Sequence, residues 1–312
     1  MTKIWCVGDV HLADKPPVNT TEAYTDDIIA MLTWIVEEAN RRTIDAVVLA
    51  GDIFDKKAPS KNSHALVLKM LSVVALARDL DVDLQIVCGN HDLTNDRYDL
   101  LYETQPLGVL FAAGAKELRG WHDGGLPLYG IPWQQDWDAT LEQAFKPVKD
   151  TEALVVTHAS IFPPGQEPPY DHLDLDRLAT AAGALSVYHG HIHDFHGAYR
   201  VGETAIANMG ALARGSLTES HVTRKIQIAE WDAEAQEFEA IDVPHKPASE
   251  VLKIEEGTAR KQARRDAEDF LSALGSRTLA VSSTEAIIAE IKATDVADEV
   301  KDVAITHIEE HA

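Results

Sequence analysis

The stretch AVVLAGDIFD, residues 46–55, joins an apolar run to a turn that carries two carboxylates. Four apolar residues in succession, two of them β-branched, are typical of a strand that is buried on both faces of a sheet. Polar residues placed directly after such a strand lie at its carboxyl end, where open α/β sheets bind their ligands. The stretch therefore predicts an α/β protein with a polar site at one edge of a sheet.

Five further segments bring polar side chains into short turns, most of them after apolar runs. They are residues 8–11, 89–92, 157–158, 190–193 and 208–210. Their Asp and Asn oxygens and His nitrogens form a mixture that suits manganese, iron or zinc better than an all-oxygen magnesium site. The candidate metal ligands are Asp9, His11, Asp52, Asn90, His158, His191 and His193.

Seven ligands are more than one open catalytic ion needs, but they suit two ions that share a bridging carboxylate. Such ions lie about 3.5–4 Å apart and stabilise both the attacking and the leaving oxygen of a phosphoryl displacement. Asp52 is the expected bridge, because its segment lies between those of Asp9 and Asn90.

The order of the motifs resembles that of the calcineurin-like metallophosphoesterases. The motifs are D-x-H, G-D-x-x-D, G-N-H-D, a single His and G-H-x-H, and the resemblance spans residues 3–231. It implies an α/β fold, a two-sheet sandwich flanked by helices. The residues implied to hold the first metal are Asp9, His11, Asp52 and His193. The residues implied to hold the second are Asp52, Asn90, His158 and His191.

The same resemblance implies roles for residues that do not bind metal. His91 would contact the scissile phosphate or protonate the leaving group, and Asp92 would orient His91. Arg214 is a candidate for holding a substrate phosphate, because a guanidinium matches phosphate in a bidentate manner. A surface ion pair is the alternative for Arg214. Two divalent ions are the expected cofactors, with manganese favoured.

Three stretches are also similar to the SbcD branch of this family, which comprises double-strand-break nuclease subunits. They are residues 51–60, LYGIPW at 128–133 and NMGALARGS at 208–216. The chain departs from that branch at Met209, where Pro is usual, and its 312 residues leave little room for a full capping domain and a partner-binding tail. The resemblance implies a DNA exonuclease or endonuclease subunit in repair or recombination. It also implies an SbcC-like coiled-coil ATPase partner, and a homodimer is a further option.

The net charge of −23 bears on the substrate. Proteins that bind long nucleic acids usually neutralise phosphates with basic patches, so this charge argues against tight, unaided binding of DNA. It is compatible with a subunit that takes its DNA affinity from a partner. It is equally compatible with a phosphodiesterase or phosphatase for nucleotides or other small phosphates. The complete ligand set disfavours a third option, a scaffold without activity.

The composition is that of a globular protein without a targeting segment. No run of 18 apolar residues and no signal peptide is present, so the cytoplasm is the expected compartment. Cys6 and Cys88 lie in apolar runs and are expected to be buried, reduced thiols. Phosphate-binding loops, nucleophile elbows and C-x-x-C zinc motifs are absent from the sequence.

The resemblance, together with a change of sequence pattern near Pro244, predicts a metallophosphoesterase catalytic domain over residues 1–245 and a small helical appendage over 246–312. The appendage either packs on the main domain or binds a partner. Helices are predicted from a cap at Thr20 or Thr21 to about Arg41, and over residues 64–78 and 95–105. Predicted strands are residues 153–157, 185–189, 204–208 and 224–231. The prolines of residues 163–169 predict an irregular loop at the rim of the site.

Overall fold

In a computed structural model, the chain forms two six-stranded sheets. The structure describes residues 2–149, 151–166, 168, 171–275, 284–293 and 298–311. The first sheet contains, in spatial order, β12 (Glu237–Asp242), β11 (Gln227–Asp232), β1 (Lys3–Val7), β2 (Ala46–Leu49), β3 (Leu84–Ile86) and β4 (Lys116–Glu117). The second contains β5 (Gly120–Trp121), β6 (Leu128–Ile131), β7 (Leu154–His158), β8 (Ser186–Gly190), β10 (Thr204–Asn208) and β9 (Gly197–Val201).

The strands that carry the site run parallel in both sheets. In the first sheet β1 to β4 are parallel, and β11 and β12 add an antiparallel edge. In the second sheet β6, β7, β8 and β10 are parallel, and β5 and β9 close the two edges in the antiparallel sense. Parallel neighbours bring their carboxyl ends to the same edge of a sheet, which positions the turns that follow them.

Helices connect and flank the strands. They are α1 (Tyr24–Arg42), α2 (His64–Asp79), α3 (Leu101–Thr104), α4 (Pro106–Ala112), α5 (Trp137–Phe145), α6 (Leu175–Ala182), α7 (Glu219–Thr223), α8 (Ala248–Val251), α9 (Ile254–Gly275), α10 (Thr284–Ala293) and α11 (Asp298–His311). The predicted helix over 64–78 is confirmed as α2. The predicted strands over 153–157, 185–189 and 204–208 are confirmed as β7, β8 and β10, and the fourth begins later than predicted, at Gln227.

The period-two alternation of strand side chains produces a four-layer sandwich. In β1, Ile4 and Cys6 enter the core between the two sheets, where they meet residues such as Val156 of β7. Trp5 and Val7 point the other way, into the core that the first sheet shares with α1, α2 and α4. A third core lies between the second sheet and helices α5 and α6. The predicted two-sheet fold with flanking helices is thus confirmed.

Two helix predictions were wrong in detail. Helix α1 begins after Ala23 without a side-chain cap, whereas Thr20 forms an isolated bridge with Leu252. The predicted helix over 95–105 is broken into two 3-10 turns followed by the short α3. The break is due to Asn95 and Asp96, whose φ angles of 54° and 55° lie in the left-handed region. An α-helix does not permit such angles.

The chain divides into two compact units, residues 1–252 and residues 253–312. The first contains every strand and helices α1 to α8, and the second contains α9, α10 and α11, with α11 packed against both others. The predicted boundary after residue 245 lies before α8, which belongs to the first unit. Residues 163–166 form a loop without regular structure, as predicted, and residues 167, 169 and 170 lie outside the described residues. Among the helices described, none has the length and apolar character needed to span a membrane.

Candidate metal centre

The carboxyl ends of both sheets supply the predicted ligands. Asp9, Asp52 and Asn90 lie in the turns after β1, β2 and β3, while His158 is the last residue of β7 and His191 follows β8. The ligands of the first sheet and those of the second meet across the sandwich. The Nδ1–H of His158, in the second sheet, donates a hydrogen bond at 2.8 Å to the carbonyl of Ala50, which lies in the turn after β2 of the first sheet. The expected placement of these side chains at strand ends is confirmed.

The side chains form clusters whose ligand atoms lie within 4.8 Å of one another. One cluster contains Asp9, His11 and His193, and its two imidazoles approach with a distance of 2.9 Å between their Nε2 atoms. A second contains Asp52, His158 and His191. The third contains His11, Asp52 and His91.

Asn90 and His191 complete the second cluster. The Oδ1 of Asn90 lies 3.0 Å from the Nε2 of His158, and the Nδ1 of His191 lies 3.2 Å from the same nitrogen. Because Nδ1–H of His158 donates to the Ala50 carbonyl, its Nε2 is the nitrogen that carries a free lone pair in the neutral ring. Three potential ligand atoms therefore converge in this part of the site.

Several ligands are held in an uncommon backbone conformation. His11, Asp52 and His191 have φ angles of 49°, 51° and 75°, which non-glycine residues rarely adopt. Such angles persist only where the surroundings impose them, and they concentrate at functional sites. Gly89 shows how tight those surroundings are, because a Cβ at this position would lie 2.3 Å from the Oδ1 of Asp52.

Burial and charge set the protonation of the ligands. Burial lowers the pKa of His11 and of His191 to about 4, so both rings are neutral near pH 7, the form in which imidazole binds metals. Burial would also lower the pKa of His158, but the carboxylates of Asp52 and Asp9 outweigh it and raise that pKa to about 9. Burial favours the neutral form of Asp52, yet His158 and His11 hold its pKa well below the usual value. The carboxylates of Asp9 and Asp52 thus stabilise a positive charge at this position, as a bound cation would supply.

The residues fit divalent metal ions. The Oδ2 of Asp9 is buried and has no hydrogen-bond partner within the part of the chain that the structure describes. A buried polar atom without a partner is costly unless a water or ion satisfies it. Oxygen and imidazole donors that converge in this way, at least three per cluster, are typical of transition-metal sites.

The structure gives Asp92 a different role from the predicted one. Its carboxylate accepts hydrogen bonds from the backbone N–H groups of Gly89, Asp52 and Ile53 at 2.9, 2.9 and 3.0 Å. It therefore fixes the turn after β2 to the turn after β3 and does not contact the ring of His91. Burial and the nearby charge of Asp52 raise the pKa of Asp92 to about 7.

His91 is oriented by the backbone instead. The ring Nδ1–H of His91 donates to the carbonyl of Asp55 at 2.6 Å. The backbone N–H of His91 donates to the Oδ1 of Asp52 at 2.7 Å. The Nε2 of His91 is left as the free ring nitrogen. The main-chain carbonyl of Asp55 thus orients the ring of His91.

Arg214 is buried and paired with an acidic side chain. Its guanidinium is 2% exposed, lies 3.3 Å from the Oδ2 of Asp27 and donates to the carbonyl of Lys246. A side chain that is buried and paired in this way cannot contact a substrate. The structure therefore corrects the prediction of a substrate-binding Arg214 and shows a buried ion pair.

Two residues at the site had no predicted role. Asn208 donates from Nδ2 to the carbonyls of His189 and Ile192, both at 3.0 Å, and so braces the segment that carries the last two ligands. Trp133 follows β6, and its ring lies 5.0 Å from that of His191. The sequence contained one indication that Trp133 lies at the site. Trp133 follows an apolar strand, as the segments that carry the candidate ligands do.

Comparison with known proteins agrees with this geometry. The calcineurin-like phosphoesterase family matches residues 2–195, which is more than half of the chain and includes all but the end of the site. The chain belongs to this family. It is a metal-dependent phosphoesterase, and the oxygen and imidazole donors described above are its candidate metal ligands.

Individual relatives are similar at low identity. The SbcD component of the SbcCD nuclease of Escherichia coli K12 is 32% identical over 147 residues, which are 46% of this chain and 35% of that protein. The DNA double-strand break repair protein Mre11 of Halobacterium salinarum is 23% identical over 286 residues, 86% of this chain and 69% of that protein. The chain thus spans about a third of the length of the Escherichia coli relative.

A solved structure supports the fold. The protein TT1561 of Thermus thermophilus superimposes with a TM-score of 0.51 at 12% identity. The superposition covers 78% of this chain and 99% of that one. At this identity the likeness concerns the architecture of the two-sheet sandwich alone.

Proposed function

We propose that this phosphoesterase is an SbcD-like DNA nuclease subunit that hydrolyses phosphodiesters with two divalent ions, manganese being the favoured metal. The observation that carries the two-ion part of the proposal is the position of Asp52. The Nε2 of His158 lies 3.5 Å from its Oδ1, and the Nε2 of His11 lies 3.6 Å from its Oδ2. Each carboxylate oxygen thus faces a different ligand cluster, as a bridging ligand requires.

The remaining ligands divide between the two positions. Asp9, His11 and His193 would hold the first ion together with Asp52. Asn90, His158 and His191 would hold the second with the same carboxylate. When bound, such ions make a water acidic enough to attack phosphorus near neutral pH and neutralise charge on the phosphate.

His91 supplies the acid–base function in this proposal. Its Nδ1 is committed to the Asp55 carbonyl, so Nε2 is the atom that would contact the scissile phosphate or give a proton to the leaving oxygen. Asp92 supports this arrangement indirectly, because it holds together the two turns from which Asp52 and His91 project.

The similarity to SbcD and Mre11 proteins supports DNA as the substrate and a role in repair or recombination. The net charge of −23 argues that long DNA is delivered by a partner, for which an SbcC-like coiled-coil ATPase is the candidate. The cytoplasm is the compartment where such a complex would act. The same charge favours the second candidate function, hydrolysis of nucleotides or other small phosphate esters.

The deciding experiment compares substrates. Purified full-length protein is supplied with manganese and given labelled linear duplex DNA, single strands, nucleotides and phosphomonoesters in parallel. The nuclease proposal expects cleavage of DNA, together with weak binding of duplex DNA that falls steeply as salt rises.

The control for contaminating nucleases is His91→Gln, which should reduce any genuine cleavage. Turnover of a small phosphate without cleavage of any DNA form above this control would overturn the nuclease proposal. It would establish the second candidate instead.

A further inference from the structure

A groove of about 600 Å³ lies beside the metal centre and has no role in the chemistry described so far. Trp133 forms part of its wall and also packs its ring 5.0 Å from that of the ligand His191. The wall also includes Asp96, four residues after Asp92 in the chain. A substrate phosphate at the ligand clusters would therefore have its neighbouring groups close to this groove.

The lining of the groove combines aromatic rings and amides. Tyr98, Tyr129 and Trp133 contribute rings, and Gln134 and Gln143 contribute side-chain amides. Rings can stack on the face of a nucleobase, and amides can donate to and accept from its edge. The volume lies within the range usual for small-ligand sites.

The groove also presents a cation. The guanidinium of Arg119 lies 4.2 Å from the ring centroid of Tyr98, in an exposed position, and forms no ion pair within the described part of the chain. The neighbouring carboxylate of Glu117 instead accepts hydrogen bonds from the hydroxyls of Tyr98 and Tyr102. In a protein with 51 acidic and 28 basic residues, an exposed guanidinium without an ion-pair partner among the described residues is an attraction for phosphate.

A second groove, of about 710 Å³, shares Trp133 with the first and differs in charge. Its lining includes the carboxylates of Asp136, Asp138 and Asp171, which repel a polyanion. The groove that contains Arg119 has one lining carboxylate, that of Asp96, beside its guanidinium, so it repels an anionic strand less than the second groove does.

We propose that the groove lined by Tyr98, Arg119, Tyr129 and Trp133 binds an unpaired nucleotide of the substrate, its base against Tyr129 and Trp133 and its phosphate on Arg119, which lies over the ring of Tyr98. The ligand must be unpaired, because the bases of a duplex already stack on one another and offer no free face. The proposal rests on the proposed function and deepens it by naming single-stranded ends as the preferred substrate. A free nucleotide has the same chemistry and is the other source of the ligand.

The test measures binding without turnover. Fluorescein-labelled oligo-dT, an abasic strand of equal length and a duplex are titrated with full-length protein in EDTA, and anisotropy is recorded over a range of salt concentrations. Oligo-dT should bind at least about five-fold more tightly than the abasic strand, because stacking on aromatic side chains contributes about that much per base. The duplex should bind more weakly than oligo-dT.

Matched variants assign this binding to the groove. Tyr129→Leu should remove the preference for oligo-dT, and Tyr129→Phe, which keeps the ring, should retain it. Arg119→Gln should lower the salt slope of log K by about 0.7, the value of one phosphate contact on a single strand. Arg78→Gln changes the net charge equally on helix α2, away from the groove, and should leave the slope unchanged. Thermal melts confirm that each variant is folded.

Equal binding of base-bearing and abasic strands, or equal effects of Arg119→Gln and Arg78→Gln, would overturn the groove proposal. Competition by dTMP shows whether a free nucleotide occupies the same place. The result is separable from the nuclease test, because this binding is measured without metal. If the protein cleaves DNA but the Tyr129→Leu and Arg119→Gln variants bind oligo-dT as the wild type does, the groove proposal is refuted and the nuclease proposal stands. Base-dependent binding without any DNA cleavage supports the groove and refutes the nuclease.

Discussion

At the scale of single residues, His91 could serve either as a metal ligand or as a contact for the substrate. His91 shares a cluster with His11 and Asp52, so its ring lies as close to them as a ligand would. Its Nδ1 nevertheless donates to the Asp55 carbonyl, and the two clusters on either side of Asp52 already contain three or more donors each. His91 is therefore better placed for contact with a substrate than for holding a metal.

Replacing His91 with Gln should separate these two roles. We expect two manganese ions per chain to remain, while turnover falls by about 10²–10⁴-fold, the usual contribution of a positioned acid–base group. Metal content is measured by mass spectrometry of the dialysed protein. Asp52→Ala is the control, since loss of a shared ligand should release both ions. Release of metal from the His91 variant would instead make His91 a ligand.

At the scale of elements, one polar cluster joins the two sheets. Asp83, just before β3 of the first sheet, accepts hydrogen bonds from Lys116 of β4 at 2.7 Å and from the Nε2 of His122 at 2.6 Å. His122 follows β5 of the second sheet, and its Nδ1 accepts from the N–H of Gly124 at 3.0 Å, which leaves the proton on Nε2. Burial opposes ionisation of Asp83, but Lys116 and His122 outweigh it and lower its pKa.

Asp83→Asn should lower the free energy of unfolding near pH 7 by about 1.5 kcal/mol, the lower range for a hydrogen bond to a charged group. A carboxyl group with a lowered folded pKa stabilises the fold above its unfolded pKa of about 3.9 and loses that contribution as pH falls below it. The difference between wild type and variant should therefore shrink below about pH 4. Urea unfolding at pH 7 and near pH 3.5 measures it, with the exposed Asp79→Asn as control. A difference that grows on acidification would contradict this role for Asp83.

At the scale of the whole molecule, the end of the first unit is set by tertiary contacts. Helix α8 places Val251 and Leu252 in buried positions, with 2% and 1% exposure. The N–H of Thr21 donates to the carbonyl of Val251 at 2.8 Å, and Thr20 pairs with Leu252. These contacts explain why the first unit extends beyond the proline-containing segment that predicted a boundary after residue 245.

A protein truncated after Leu252 should remain folded, bind two ions and keep its basal phosphoesterase activity. Truncation after His245 should lower the thermal midpoint clearly, because burial of each of the two apolar side chains contributes about 1.5–3 kcal/mol. Differential scanning calorimetry of the two proteins, with metal removed, provides the comparison. Equal midpoints would show that α8 does not belong to the stable unit and would favour the boundary after residue 245.

The sequence by itself determined the α/β class and the candidate ligands, and the reason is local. The two-sheet sandwich was implied by the resemblance to the family. An apolar run such as Ala46–Leu49 indicates a strand that is covered on both faces of its sheet. The turn that follows this strand must therefore lie at the edge of the sheet. Ligand identity is likewise a property of the residue type, since Asp, Asn and His offer a small choice of donor atoms.

Only the tertiary structure decided which partner each polar group takes. Asp92 and Arg214 have strong local signals for catalysis and phosphate binding, yet their contacts are with backbone amides 39 and 40 residues away and with Asp27, 187 residues away. The groove beside Trp133 is also invisible in the sequence, because its walls come from separate segments of the chain. Residue type and spacing fix the chemistry that a side chain can offer, whereas packing between distant strands decides where that chemistry is used.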